Sequence, residues 1–289
     1  MNLSNWPTLL ALIPDTTGKL TASAVSGGDI NQAWHLSDGK QSYFVKTNSS
    51  DQLAMFEAEQ VGLKSMKDSQ AIRVPDVIGC GIEANQAFIL MEYIELSGQP
   101  RPELFARQLA AMHQQTHSQF GFVIDNTIGS SPQINRFSDN WVEFWCEQRL
   151  GFQLDLAKKN HLDSKMIDAG ERLNNRLAAF FSDYQPQASL LHGDLWGGNQ
   201  AADKTGNPVI FDPACYYGDH EADLAMMELF GQPGQSFFSA YDEVFAIDAG
   251  YPVRRDLYNL YHVINHANIF GGGYTASARR LIDKLLAQT

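Results

Sequence analysis

The stretch Leu190 to Ala214 reads LLHGDLWGGNQAADKTGNPVIFDPA, and it holds two acids and an amide at spacings that phosphoryl transfer uses. Asp194 and Asn199 are separated by four residues. In that chemistry an Asp so placed accepts the proton of an attacking hydroxyl, and the Asn helps to hold Mg²⁺. Asp212 ends the short apolar run Val209-Ile210-Phe211. Between them lies Asp203-Lys204-Thr205-Gly206-Asn207, a turn-forming cluster flanked by apolar residues. A hairpin there predicts that Asp212 swings back beside Asn199, so that one ion could touch both. Mg²⁺ takes few carboxylates, several waters and substrate phosphates, so a sparse pair of oxygen donors is chemically adequate. An HGD tripeptide alone is a common loop; the spacing, the hairpin and the terminal Asp carry the reading together.

Elements must position these groups. Ala22 to Ser26 and Gln32 to Leu36 read as strands around a Gly27-Gly28-Asp29 turn, and Tyr43 to Lys46 reads as a third. Asp51 to Asp68 carries Leu53, Phe56, Leu63 and Met66 at largely helical intervals. Val77 to Ile82 and Ala87 to Ile94 are two further strands. The sum is a five-stranded sheet with one helix after its third strand. Glu95 to Pro102, rich in Pro, Gly and polar residues, marks a lobe boundary. Residues 1–95 form a small β-rich lobe and 96–289 a larger, mainly helical one. Helices are expected at Glu103–His117, Trp141–Ala157, Lys165–Phe181, Glu221–Phe230, Asp256–Phe270 and Ser277–Ala287. A short amphipathic helix opens the chain.

The first lobe offers a nucleotide site. Gly27 and Gly28 would let backbone N–H groups approach phosphate oxygens, although the segment is neither G-x-G-x-x-G nor a Walker A loop, and taken alone it is better explained as a plain hairpin turn. Lys46 leaves its strand able to reach the α and β phosphates, given a carboxylate to aim it. Glu59 is the choice and Glu57 the rival, because Glu59 lies beside buried Leu63 at i, i+4. Glu92, Tyr93 and Ile94 end the last strand before the boundary, where a backbone C=O and N–H could meet the edge of adenine. His113/His117 and His262/His266 have a metal-binding spacing but no third ligand, so packing is favoured for both pairs. His192 suits a hydrogen bond to the loop backbone. The acids of Asp219-His220-Glu221-Ala222-Asp223 suit a helix first turn, and one of them could orient the loop.

The chain has 289 residues, 44% hydrophobic and 19% charged, enough for a large core. A net charge of −12 argues against a nucleic-acid surface and suits a cationic or neutral co-substrate. Three cysteines with no C-x-x-C pair argue against a disulfide framework or structural zinc. No basic segment precedes the opening apolar run, and nothing approaches a membrane span. The cytoplasm is the expected compartment.

At this point the motifs form a pattern. The chain resembles the fructosamine kinase (ketosamine kinase) family, within the aminoglycoside and choline phosphotransferase-like kinases. The resemblance is carried by SGGDINQAW, YFVK, FEAEQVGL, LMEYIEL, WVEFWCEQRLGFQLDL, HGDLWGGN, the IFDPACYYG run and LYNLYHVINHANIFGGGY. It implies an α+β, bilobal protein-kinase-like fold and ATP/Mg²⁺-dependent phosphorylation of a ketosamine 3-hydroxyl, on a small molecule or a glycated lysine of a protein, after which the product decomposes and frees the amine. On this chain it implies Asp194 as base, Asn199 and Asp212 on the metal, Lys46 on phosphates with Glu59 orienting it, Glu92 to Ile94 at adenine, and Trp196 as an apolar floor for the sugar. Gly27 to Ala33 contains no Cys, so no thiol switch is expected at that loop. Competing readings are the same chemistry on an aminoglycoside or choline-like alcohol, a nucleotide-binding module without catalysis, and a metal hydrolase built on His192, Asp194 and His220.

Overall fold

The computed structural model describes residues 3–13, 19–25, 30–231 and 233–289. In chain order it runs α1 (Pro7–Leu12), β1 (Thr21–Val25), β2 (Gln32–Ser37), β3 (Ser42–Ser49), α2 (Leu53–Asp68), β4 (Val77–Glu83), β5 (Gln86–Glu92) and α3 (Pro102–His113). There follow β6 (Asn126–Ile128), β7 (Ser131–Gln133), α4 (Trp141–Trp145), α5 (Gly151–Lys159), α6 (Ser164–Asn174), β8 (Ser189–Leu191), β9 (Gln200–Ala202), β10 (Pro208–Ile210) and β11 (Tyr216–Gly218). The chain closes with α7 (Glu221–Leu229), α8 (Gln235–Asp242), α9 (Tyr251–Phe270) and α10 (Gly273–Leu286). The Gly27-Gly28 turn lies outside the described residues. The fold class is α+β.

Two compact units result: Met1–Arg101 with Gln200–Pro213, and Pro102–Asn199 with Ala214–Thr289. The first holds the five-stranded sheet, in the order β1-β2-β3-β5-β4 with antiparallel neighbours. Strand alternation separates its two faces. Leu36, Tyr43, Val45, Phe88 and Leu90 pack under Trp6, Leu9 and Ile13 of the N-terminal segment. Lys46, paired in register with Ile89, points the other way. The β9–β10 hairpin forms, with Pro208 opposite Ala202 and Ile210 opposite Gln200. Sequence put that hairpin in the second lobe, but it clusters with the first unit. Backbone bonds explain why: Ile210 N–H donates to Arg73 O (3.1 Å), Ser97 N–H to Ala202 O (2.8 Å) and Ala202 N–H to Gly98 O (2.9 Å).

In the second unit α9 is the central helix, buried from Leu257 to Ala267 along its inner face and packed on α5, α7 and α10. The predicted helix 141–157 exists with one π turn, Cys146–Leu150, between α4 and α5. A side chain at Gly151 would place its Cβ 2.2 Å from Cys146 O, so only glycine admits this turn. The helix predicted over 165–181 stops at Asn174 and continues as a 3₁₀ turn, Leu177–Phe181. Asn174 and Asn175 favour caps over helix interiors. Helix α8 and the β6–β7 hairpin were not expected.

Candidate active site

Period and pitch bring three distant side chains together in the first unit. Phe56, Glu59, Leu63 and Met66 share the buried stripe of α2, which turns Glu59 toward the sheet. Glu59 Oε1 lies 2.6 Å from Lys46 Nζ. Lys46 also pairs with Asp212, 166 positions away. Burial would favour a neutral amine, yet the two carboxylates outweigh it, and the Lys46 pKa lies above its ordinary value. Lys46 and Glu59 are almost covered, whereas the Asp212 side chain is 46% exposed. Asp212 has φ +59°, a left-handed conformation that Asp tolerates better than most residues and that clusters at functional sites. At the end of β5, Glu92 N–H donates to Asp76 O (2.8 Å), its carboxylate pairs with Arg73, and the Tyr93 ring lies 4.1 Å from that of His35. Ile94 follows, half-buried.

The second unit holds the loop. Strand β8 pairs with β11, Leu191 opposite Tyr216, and delivers His192-Gly193-Asp194. Gly193 sits at φ +82°, and a Cβ there would lie 2.0 Å from Ala214 O. Only glycine lets the loop pass so close. Asn199 Nδ2 donates to the Asp194 carbonyl (2.8 Å) and to its Oδ2 (3.2 Å), and Asp194 N–H donates to His192 Nδ1 (3.2 Å). Asp194 is half-buried, and Trp196, two residues on, is 41% exposed.

A clamp lies beneath the loop. His192 N–H donates to Asp223 Oδ2 (2.7 Å) and Gly193 N–H to Oδ1 (2.8 Å). His113 Nε2 lies 3.1 Å from Asp223 Oδ2, and the Tyr241 hydroxyl lies 2.6 Å from His113 Nδ1 and 2.9 Å from His220 Nδ1. Burial would raise the Asp223 pKa; hydrogen bonds and the imidazoles overcome it and hold the carboxyl below its ordinary value. The histidine pair His113/His117 is therefore split between an internal clamp and a half-exposed ring stacked on Phe137 and Tyr217. Sequence named Asp223 only as one of three acids and assigned His113 to packing, which its burial bears out, without the bond between them. Asp219 accepts instead from Tyr184 (2.9 Å) and Tyr258 (2.5 Å), and Glu221 is bidentate with Arg254 (2.7 and 2.9 Å).

The oxygen donors suit a hard cation. In the first unit Asp212 carries a half-exposed carboxylate, and in the second Asn199 carries an amide oxygen; each is a donor type that a hard cation takes alongside water and phosphate oxygens. Among the described residues no group of three or more His, Cys, Asp or Glu could hold a metal, which removes a zinc-type cluster on His192, Asp194 and His220. No described helix is long and apolar enough to cross a membrane.

Comparisons with known proteins agree on one group. A family model described as fructosamine kinase matches residues 5–288. A chloroplastic protein-ribulosamine 3-kinase of Arabidopsis thaliana is 46% identical over 279 residues, covering 94% of this chain and 85% of that one. A probable ketoamine kinase of Synechocystis is 43% identical over 291 residues, 97% of each chain. In structure, an aminoglycoside phosphotransferase, solved as a ternary complex with AMP-PNP and hygromycin B, matches at TM-score 0.64 and 17% identity over 98% of both chains. The fold is that of the protein-kinase-like phosphotransferases.

Proposed function

This chain belongs to the fructosamine kinase family, and on that premise we propose that it transfers the γ-phosphoryl group of ATP, with Mg²⁺, to the 3-hydroxyl of ketosamines. The observation that carries the reading is buried Lys46, held between Glu59 and Asp212 across 166 positions of chain. Nothing in packing requires a buried ammonium there, and a phosphate-contacting lysine needs that arrangement. The relatives named for ribulosamine and ketoamine supply the acceptor class. An ATP-analogue complex of a protein sharing the fold supports the donor.

Asp194 orients the acceptor hydroxyl before transfer and takes its proton late, because the transition state is loose. Asn199 fixes the Asp194 carboxylate through its amide N–H. Lys46 binds phosphate oxygens, and Glu59 aims it. Mg²⁺, held by Asn199 and Asp212, would neutralise charge on the transferring phosphoryl group. Glu92 to Ile94, with the Gly27-Gly28 turn, would hold the nucleotide. Trp196 would floor the sugar. The first unit, Met1–Arg101 with Gln200–Pro213, is thus read as the nucleotide unit and the second, Pro102–Asn199 with Ala214–Thr289, as the catalytic and acceptor unit. Three free cysteines suit a reducing cytoplasm.

ADP release across a panel of ketosamines, aminoglycosides and small alcohols tests the acceptor. The expected result is turnover with ketosamines far above the others. Preference for an aminoglycoside would replace the reading with its nearest rival, and nucleotide binding without any turnover would reduce the chain to a binding module.

A further inference from the structure

Soluble proteins rarely leave large aromatic rings side by side in water. Four Trp and Phe rings are exposed among the described residues, and three of them meet in one place: Trp196 (41%), Phe230 (51%) and Phe270 (62%). They come from the loop beyond Asp194, the segment after α7 and the end of α9. Ring centroids trace a continuous array: Trp196 to Phe230, 6.3 Å; Phe230 to His266, 5.4 Å; His266 to Phe270, 5.8 Å; His266 to Tyr274, 5.1 Å. Beyond it, Phe230 and Tyr274 also line a cleft of about 360 Å³ with Leu229, Val263 and Leu281. So much apolar ring surface, beginning two residues from the base and leading into an apolar cleft, fits a ligand with a cation followed by hydrocarbon.

We propose that Phe230, Phe270 and Tyr274, continuing from Trp196, form an amine-side subsite that binds the secondary ammonium of the ketosamine and seats its alkyl substituent in the adjoining cleft. The proposal rests on the kinase reading above and extends it from the sugar to the amine. A ketosamine nitrogen is protonated near neutrality, and ring faces attract such a cation. The ring within the array does not oppose it. His266 Nδ1 lies 2.7 Å from His262 O, so it carries its proton there, and burial lowers the His266 pKa and keeps the ring neutral at pH 7. Of the basic side chains bordering the cleft, Lys284 is ion-paired with Asp256 and Arg280 donates to Ser277 (2.8 Å). A lysine side chain matches both requirements, a cation and then a run of methylenes.

Two acceptors with the same sugar test this: the ketosamine of Nα-blocked lysine, and its ether analogue with oxygen in place of the amine nitrogen. The wild-type protein should prefer the amine by about tenfold in kcat/KM, the scale of one well-placed cation–aromatic contact. Phe230→Leu and Phe270→Leu keep apolar bulk while removing a ring face. Each should cost the amine acceptor about fivefold through KM, leave kcat within about twofold and cost the ether less than about twofold, because leucine keeps most of the contact with the shared alkyl chain. Both acceptors are read on the same folded protein, so a general loss of integrity would lower the two together. An unchanged ratio in the variants, or a parallel fall for both acceptors, overturns the subsite alone. Turnover of neither acceptor by the wild-type protein overturns the kinase reading and the subsite with it.

Discussion

Replacements of Asp194 and Asp212 should fail differently. Asp194→Asn keeps the shape and the neighbouring bonds and removes the proton acceptor. It should lower kcat by about 10²–10⁴-fold while MgATP affinity, read by calorimetry, stays near wild type; near-normal turnover would refute the assignment. Asp212→Ala should abolish Mg²⁺-dependent nucleotide binding, and unchanged MgATP affinity would exclude Asp212 as a ligand. At this scale the sequence was informative wherever spacing along one element decides the neighbour. Glu59 was separable from Glu57 because only the former shares the stripe of Phe56 and Leu63. His113 was not separable from an ordinary core histidine, because its partners, Asp223 and Tyr241, are 110 and 128 positions away.

The clamp under the catalytic loop is a property of elements. Helix α7 presents Asp223 to two consecutive backbone N–H groups, and α3 presents His113 to the same carboxylate. Removing the imidazole strips a buried carboxylate of a charge-assisted bond, a loss of roughly 1.5–3 kcal/mol. His113→Ala should therefore lower the melting temperature and cut kcat, with KM for ATP little changed, since nothing in the first unit is altered. A rise in KM for ATP at constant kcat would mean that His113 does not act through the loop. Gly193→Ala tests the same loop from its other side, where a methyl has no room beside Ala214 O. It should behave as a folding defect. Helix and strand periods made most elements visible in sequence, including the five-stranded sheet and the hairpin before Asp212. The π turn and the break at Asn174 were hidden, because each depends on local backbone crowding and caps that periodicity does not register. The docking of the hairpin on the first unit rests on backbone bonds to Arg73 and residues 97–98, to which side-chain patterns are blind.

Across the whole molecule, burial of neutral histidine links stability to pH. His262 is pushed down from 6.5 to about 3, first by burial and then by the neighbouring His266. Between those values the unfolded chain binds a proton that the folded chain refuses, so stability falls as pH drops from about 6.5 toward 3. Urea midpoints of wild type and His262→Asn should converge as the pH is lowered through that window; a constant gap would show that His262 does not titrate on unfolding. A net charge of −12 leaves the surface hospitable to a cationic acceptor. The most direct test of the account is ³¹P NMR of a ketosamine incubated with MgATP and the protein. The account predicts a new phosphate-monoester resonance on the sugar, formed with stoichiometric ADP and nearly lost with Asp194→Asn. ADP formed without a phosphorylated sugar, or the same resonance at an unreduced rate with Asp194→Asn, would contradict it.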